Sequence, residues 1–480
     1  MSSKHTPKYK RIAQLKTADQ FVDHIHSLNI NLPFTANLSA DHSQLFGKSI
    51  TLKSGKLVGN SLCILPMEGW DGTTDGKPSE HTKRRWKNFA TSGAKLLFGC
   101  EAVAVCEEGR ANPNQLMIND QNLDDFKELH ELLVIEHEQK FGQSSDLVIG
   151  LQLTHSGRFC KPYDKRKMEP RILYHHPVLD AKFGLGDDYP LMEDDYIDAL
   201  IEKYIAAAVL AQQAGFDFVD IKHCHGYLGH EFLSAYDRPG KYGGSFENRT
   251  RFFRSIVEGI NVAAPGLEIG VRLSAFDFQP FVAGKEDPSG VPSTDGPYDC
   301  AFGGISGGLG INLEETLEFI ALAESMDIQM ICVTAGSPYY NPHIIRPALF
   351  PPSDGYLPPE DPLIGVARQI NVTAEIKRAF PNMVIIGSAY SYLQEWLPNV
   401  AAAVLENGMA DLIGFGRMVL SYPDMPIDMI NGKVLQRQKI CRTFSDCTTA
   451  PRNGMISGCF PLDPYYKIMP EFENLKLLKS

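Results

Sequence analysis

Residues 204–232 read YIAAAVLAQQAGFDFVDIKHCHGYLGHEF, and this passage decides the fold. Ile197, Leu200, Ile201, Tyr204, Ile205, Ala208 and Val209 recur at helical spacing and predict one apolar helix face over 193–214. Gly215 stops that helix, as a glycine can just past a last turn. FDFVDI (216–221) follows, short and nearly continuous in apolar residues, as a strand covered on both faces has to be. Lys222, His223, His225 and Tyr227 then crowd the place where that strand ends. Helix, glycine, buried strand and a titratable cluster form the repeating unit of a parallel α/β protein.

Seven further runs share the strand pattern: 60–67, 96–105, 147–153, 268–273, 330–336, 383–388 and 411–416. Helical stretches lie between them, among them 247–263 with Ser245 as its N-cap, 313–326 and 396–411. Eight strands alternating with helices predict an α/β fold, a (β/α)8 TIM barrel. No G-x-G-x-x-G follows the first strand, which counts against an open dinucleotide-binding sheet. The reading divides the chain into an N-terminal arm (1–45), a barrel (46–430) and an irregular C-terminal tail (431–480). Residues 275–310 and 337–362, the latter with Tyr339, Tyr340 and Tyr356, are long loops after strands and are expected to cover a site.

The 480 residues are 43% hydrophobic and carry a net charge of −12. That balance argues against nucleic acid and anionic membranes as partners. The polar, basic N-terminus is not read as a secretory signal, and ten cysteines at this length suggest reduced thiols. The expectation is a cytoplasmic enzyme with a small-molecule substrate. Assembly into a homo-oligomer is left open.

Strand ends face the reaction side of such a barrel. Tyr227 is a candidate proton donor, and His225 and Lys222 are suited to hold a developing anionic oxygen. The plain alternative is a histidine that satisfies a backbone carbonyl. Gln152 ends the third run, with His155 and Arg158 just beyond. Arg272 sits in a run that otherwise reads as buried, so it needs an anionic partner. Gly387 and Ser388 after the seventh run, and Gly414, Gly416 and Arg417 after the eighth, describe a phosphate site.

The ordered motifs LPMEG, CEAVAV, LQLTHSGR, HGYLGHEFL…YGGSFENR, GVRLS and DLIGFGRMVLSYPDMP resemble the Old Yellow Enzyme family of flavin oxidoreductases over about residues 44–430. They are also similar to the barrel domains of dienoyl-CoA reductase and trimethylamine dehydrogenase. The resemblance implies FMN across the barrel mouth, with NADH or NADPH as electron donor and hydride transfer to an activated alkene. It implies that Pro66, Met67 and Ala102 line the flavin and that Gln152 bonds its pyrimidine edge. Arg272 would sit by N1 and O2, and Gly387, Ser388, Gly416 and Arg417 would hold the phosphate. Tyr227 falls on the proton donor and His225 on the second member of the pair that grips the substrate carbonyl.

Three departures accompany the match. Lys222 takes the place of the first member of that pair, with His223 as an alternative that strand alternation should turn away. Glu68 stands beside the flavin-lining pair where relatives have a small hydroxyl residue. Its carboxylate would repel reduced flavin unless turned away or neutralised. In the tail, Cys441, Cys447 and Cys459 resemble three of four ligands of the iron–sulfur site of larger relatives, but Phe444 holds the fourth position. Three thiols fall short of a cluster, so neither a cluster nor another metal is expected. With no further flavin or dinucleotide domain read in the chain, electrons are expected to reach FMN directly. The competing readings are a dehydrogenase or demethylase acting on a C–H bond beside nitrogen, and a non-catalytic binding barrel.

Overall fold

The computed structural model describes residues 8–479; the first seven residues of the expected N-terminal arm and the final Ser480 lie outside the described residues. Eight parallel strands form the barrel: β1 (Leu62–Ile64), β2 (Leu96–Leu97), β3 (Val148–Thr154), β4 (Phe218–Ile221), β5 (Glu268–Ser274), β6 (Met330–Thr334), β7 (Val384–Gly387) and β8 (Leu412–Phe415). Each pairs with its neighbour, β8 with β1 and β2 with β3, so the sheet is closed. The helices α1 (Glu80–Ala90), α2 (Leu123–Phe141), α3 (Asp194–Gln213), α4 (Arg251–Ala263), α5 (Glu314–Ser325), α6 (Pro362–Ala379), α7 (Leu397–Glu406) and α8 (Met425–Ile430) follow the strands in turn.

Strand alternation sorts the side chains. Cys63, Leu96, Phe98, Val148, Phe218, Met330, Cys332, Ile386 and Leu412 make one cluster inside the barrel. Ile64, Leu97, Leu151, Val219, Val271 and Ile413 belong to the larger core beneath the helices. Phe218 and Phe98 fit because Gly150 and Gly270 give way: a Cβ on Gly150 would come within 2.2 Å of the Phe218 ring. Burying one such phenyl ring contributes about 1.5–3 kcal/mol. A hairpin, Ile50–Thr51 with Leu57–Val58, adds Leu52 and Val58 to the inner cluster.

Three sequence expectations need correction. The run 96–105 is two pieces, β2 and a short strand Ala102–Ala104 that pairs with β3. The chain turns between them through Gly99 and Cys100, both at positive φ, and a Cβ on Gly99 would strike Gln152. The helix expected over 247–263 breaks at Thr250; Ser245 caps only its first turn, Phe246–Arg249. The tail is not irregular: it forms helices at Asp446–Arg452, Pro464–Lys467 and Pro470–Lys479 and packs Ala450, Phe460, Tyr466 and Leu475 together. Among the described residues no helix is long and apolar enough to cross a membrane.

Candidate active site

Where the strands end, a cavity with about 1250 Å³ of empty space, open mouth included, collects side chains from most of the barrel. Pro66, Met67, Glu68, Gln152, Lys222, His225, Tyr227, Arg272, Ser388, Gly416 and Arg417 all line it. Ala102 and Gly387 do not. The Ala102 carbonyl accepts from the Gln115 amide at 3.0 Å, and a Cβ on Gly387 would meet the Tyr390 hydroxyl at 2.6 Å. Gly414 does line the cavity, and a Cβ there would press on the Gly387 carbonyl.

The inward register of β4 carries Phe218, Asp220 and Lys222 in succession, while Val219 and Ile221 turn outward. His223 follows the outward set. Its Nδ1 meets the Ile221 carbonyl at 3.0 Å and its ring packs on Phe253 and Phe319. It therefore satisfies the backbone and does not replace Lys222. His155 and Arg158 also stand outside the cavity lining. His155 Nδ1 accepts from the Gly157 amide at 3.0 Å, and Arg158 is bound to Asp180 and to Glu231.

Beside Lys222 one register layer holds the polar floor. Gln152 and Asp220 are paired residues of β3 and β4. The Gln152 amide nitrogen donates to the Asp220 carboxylate, which leaves the amide oxygen for a ligand donor. Asp220 also accepts from the Arg272 backbone N–H at 2.7 Å. Burial raises the Asp220 carboxyl to about 6. The Arg272 side chain is buried, and its Nε has no partner among the described residues.

A second part of the lining is built around Glu68. Lys222 donates to one of its oxygens at 2.7 Å, and the Tyr227 hydroxyl donates to the other at 3.1 Å. The Lys222 ammonium lies 3.7 Å from the centre of the Tyr227 ring, a cation–π contact. The Tyr227 hydroxyl also meets that of Tyr339 at 2.8 Å. Burial, then the Glu68 charge and Tyr339, push the Tyr227 phenol well above its ordinary range, so it holds its proton. His225, at φ 69°, presents a buried Nε2 without a partner among the described residues. Burial first, then Arg272 and Lys222, push its imidazole far down, so it stays neutral. Glu68 and Lys222, two of the three departures in the sequence, are thus one ion pair.

The rest of the lining comes mostly from the 337–362 loop and the tail. Trp70, Tyr339, Arg346 and Ala389 line the cavity, as do Cys447, Thr448, Pro451, Arg452 and Ser457 of the tail. Tyr339 of the 337–362 loop was a usable signal, whereas Tyr340 and Tyr356 bond to Asp277 and His343 instead; Arg346 and Arg452 offered none, because nothing local distinguishes them from surface arginines. Cys441, Cys447 and Cys459 border one small pocket with Phe444 and Arg417, and Phe444 packs on Phe350 at 5.4 Å. Among the described residues no group of three His, Cys, Asp or Glu side chains is arranged to hold a metal.

The residues present fit FMN. A phosphate and an electron-rich ring system would meet the orphaned nitrogens of Arg417 and Arg272. A Cβ on Gly416 would meet nothing nearer than the Met67 sulfur at 3.8 Å, so backbone there is open to a ligand.

Known proteins share this fold. An NADPH dehydrogenase of Bacillus cytotoxicus (strain DSM 22905 / CIP 110041 / 391-98 / NVH 391-98) is 30% identical over 249 residues, 50% of this chain and 64% of the relative, so the chain spans less than two thirds of that relative's length. The solved 2-naphthoyl-CoA reductase in complex with 2-naphthoyl-CoA matches at a TM-score of 0.63 and 18% identity, over 88% of this chain and 57% of that one. The old yellow enzyme homologue from Zymomonas mobilis matches at 0.53 and 20% identity, over 83% of this chain and 97% of that one. These two likenesses show the barrel fold. The sequence model of the NADH:flavin oxidoreductase / NADH oxidase family matches residues 44–285, a span that contains Gln152, Lys222, His225, Tyr227 and Arg272, and this chain belongs to that family.

Proposed function

We propose that this protein is an FMN-dependent oxidoreductase that takes electrons from NAD(P)H and reduces an electron-poor substrate, with Tyr227 as proton donor. FMN, when bound, supplies a centre that accepts a hydride from one partner and gives it to the next. The single observation that carries the reading is the gathering of two sets of side chains around one cavity. Arg272, Gln152 and Arg417 are set for an anionic cofactor, and His225, Lys222 and Tyr227 for a polar acceptor.

The side chains divide the work. Arg272 brings fixed positive charge to the floor, and Gln152, tied down by Asp220, offers an oriented acceptor. His225 is neutral and Lys222 is already balanced by Glu68, so the substrate oxygen meets donors without an uncompensated cation. Tyr227 keeps its proton until a stronger base forms next to it.

A non-catalytic barrel leaves the orphaned Arg272 and His225 nitrogens unexplained. The test is an absorbance spectrum of the purified protein followed by anaerobic titration. Bleaching of a flavin band by NADH or NADPH supports the proposal. Bleaching by amines alone, or a colourless protein that FMN does not stain, refutes it.

A further inference from the structure

Arg346 follows the short helix Pro342–Ile345 after β6 and reaches the cavity wall that also holds Ser388, Gly416 and Arg417. Its Nε is shielded from water and has no partner among the described residues. The same holds for Nη1 of Arg417, whose remaining polar contact is a long 3.5 Å approach to the Pro347 carbonyl. Neither guanidinium is paired with a carboxylate among the described residues. The third arginine of this wall, Arg452, is already matched by Asp354 and donates to the Pro338 carbonyl at 2.6 Å. Two uncompensated guanidiniums therefore share one end of the cavity, and Arg346 Nη1 is also bonded to the Thr448 hydroxyl of the tail.

We propose that Arg346 is a second guanidinium arm for the FMN phosphate and, through Thr448, the latch by which a bound phosphate fastens the C-terminal segment over the mouth. This rests on the flavin reading above. A phosphate monoester carries close to two negative charges at neutral pH, which two guanidiniums match and one does not. Placing two like charges together in a half-buried wall is unfavourable without that anion. Burial, then Arg417 and Arg452, depress the Arg346 guanidinium to about 9. Ser388 contributes little by its hydroxyl hydrogen, which goes to the Val333 carbonyl at 2.6 Å, so the arginines carry the charge recognition. The bond to Thr448 joins that recognition to the tail. A bound anion offsets the repulsion between the two guanidiniums and holds Arg346 beside Thr448.

The experiment titrates FMN and riboflavin, which differ by the phosphate alone, into flavin-free full-length protein and follows quenching of flavin fluorescence. Arg346→Met should weaken FMN by about 10- to 100-fold, the range of one charge-assisted hydrogen bond, and leave riboflavin within about twofold. Arg346→Lys, which keeps charge but loses the fork, should fall between. In the second arm, FMN should slow tryptic cleavage in the 437–452 segment of the wild type more than riboflavin does. Thr448→Val should abolish that difference while keeping FMN preferred over riboflavin. Unchanged FMN affinity in Arg346→Met, or an equal loss for both flavins, overturns the phosphate arm. Equal protection by both flavins overturns the latch. A wild-type protein that binds neither flavin overturns the cofactor reading and this inference with it.

Discussion

Glu68 and Lys222, 154 positions apart, meet at 2.7 Å across the mouth of the barrel, and each removes the difficulty the other creates. The Lys222 side chain is 2% exposed, a buried cation that needs a counter-charge. Glu68 would set a bare carboxylate beside an electron-rich ring. Paired, they present one neutral unit that also holds the Tyr227 hydroxyl.

The pair should behave as a unit in a double-mutant cycle. Glu68→Gln and Lys222→Met are each expected to cost about 1–3 kcal/mol, and the double variant about 1–2 kcal/mol less than their sum. Urea unfolding of the flavin-free proteins measures this. Strict additivity would mean that the contact carries no energy.

Tyr227→Phe separates hydride from proton. Reduction of the flavin-loaded protein by NADPH should stay within about threefold, while reoxidation by an activated enone should slow by about 10²–10⁴. Stopped-flow measurement of the two half-reactions decides it. Equal slowing of both would remove the tyrosine from the proton step.

Arg272→Met tests the buried guanidinium twice. Without flavin the variant should be about as stable as the wild type, since the buried guanidinium forms no ion pair with a carboxylate within 4 Å among the described residues. With flavin its reduction potential should drop by about 30–60 mV, the two-electron equivalent of about 1.4–3 kcal/mol. A melting curve and a redox titration give the two readings, and a destabilised flavin-free variant contradicts the assignment.

Asp277 makes a prediction about pH. It accepts from Tyr340, Asn341 and its neighbour Phe278, and burial raises its carboxyl to about 6. A carboxyl raised in the folded state binds its proton more tightly there than in the unfolded chain. Its contribution is therefore full below about pH 4 and is lost as pH rises through about 6. That loss is on the order of 2–3 kcal/mol for a shift of this size. Stability measured from pH 4 to 7 should fall more steeply in the wild type than in Asp277→Asn, and parallel curves would refute the shift.

The sequence alone carried the barrel and the identity of its inward strand-end residues. Buried parallel strands have to be apolar on both faces, and the alternation that turns Phe218 and Lys222 inward also turns His223 outward. It did not show the break at Gly99 and Cys100, because a positive φ at a cysteine leaves no mark in composition. Nor did it show that Glu68 answers Lys222, or that Arg346 and a tail threonine stand beside Arg417. Those contacts join loops that are neighbours only after eight strands close on themselves, and no local period or spacing encodes which loop tips then meet. Patterns along the chain report which face a residue takes, whereas charge compensation between distant segments is settled by the closed fold.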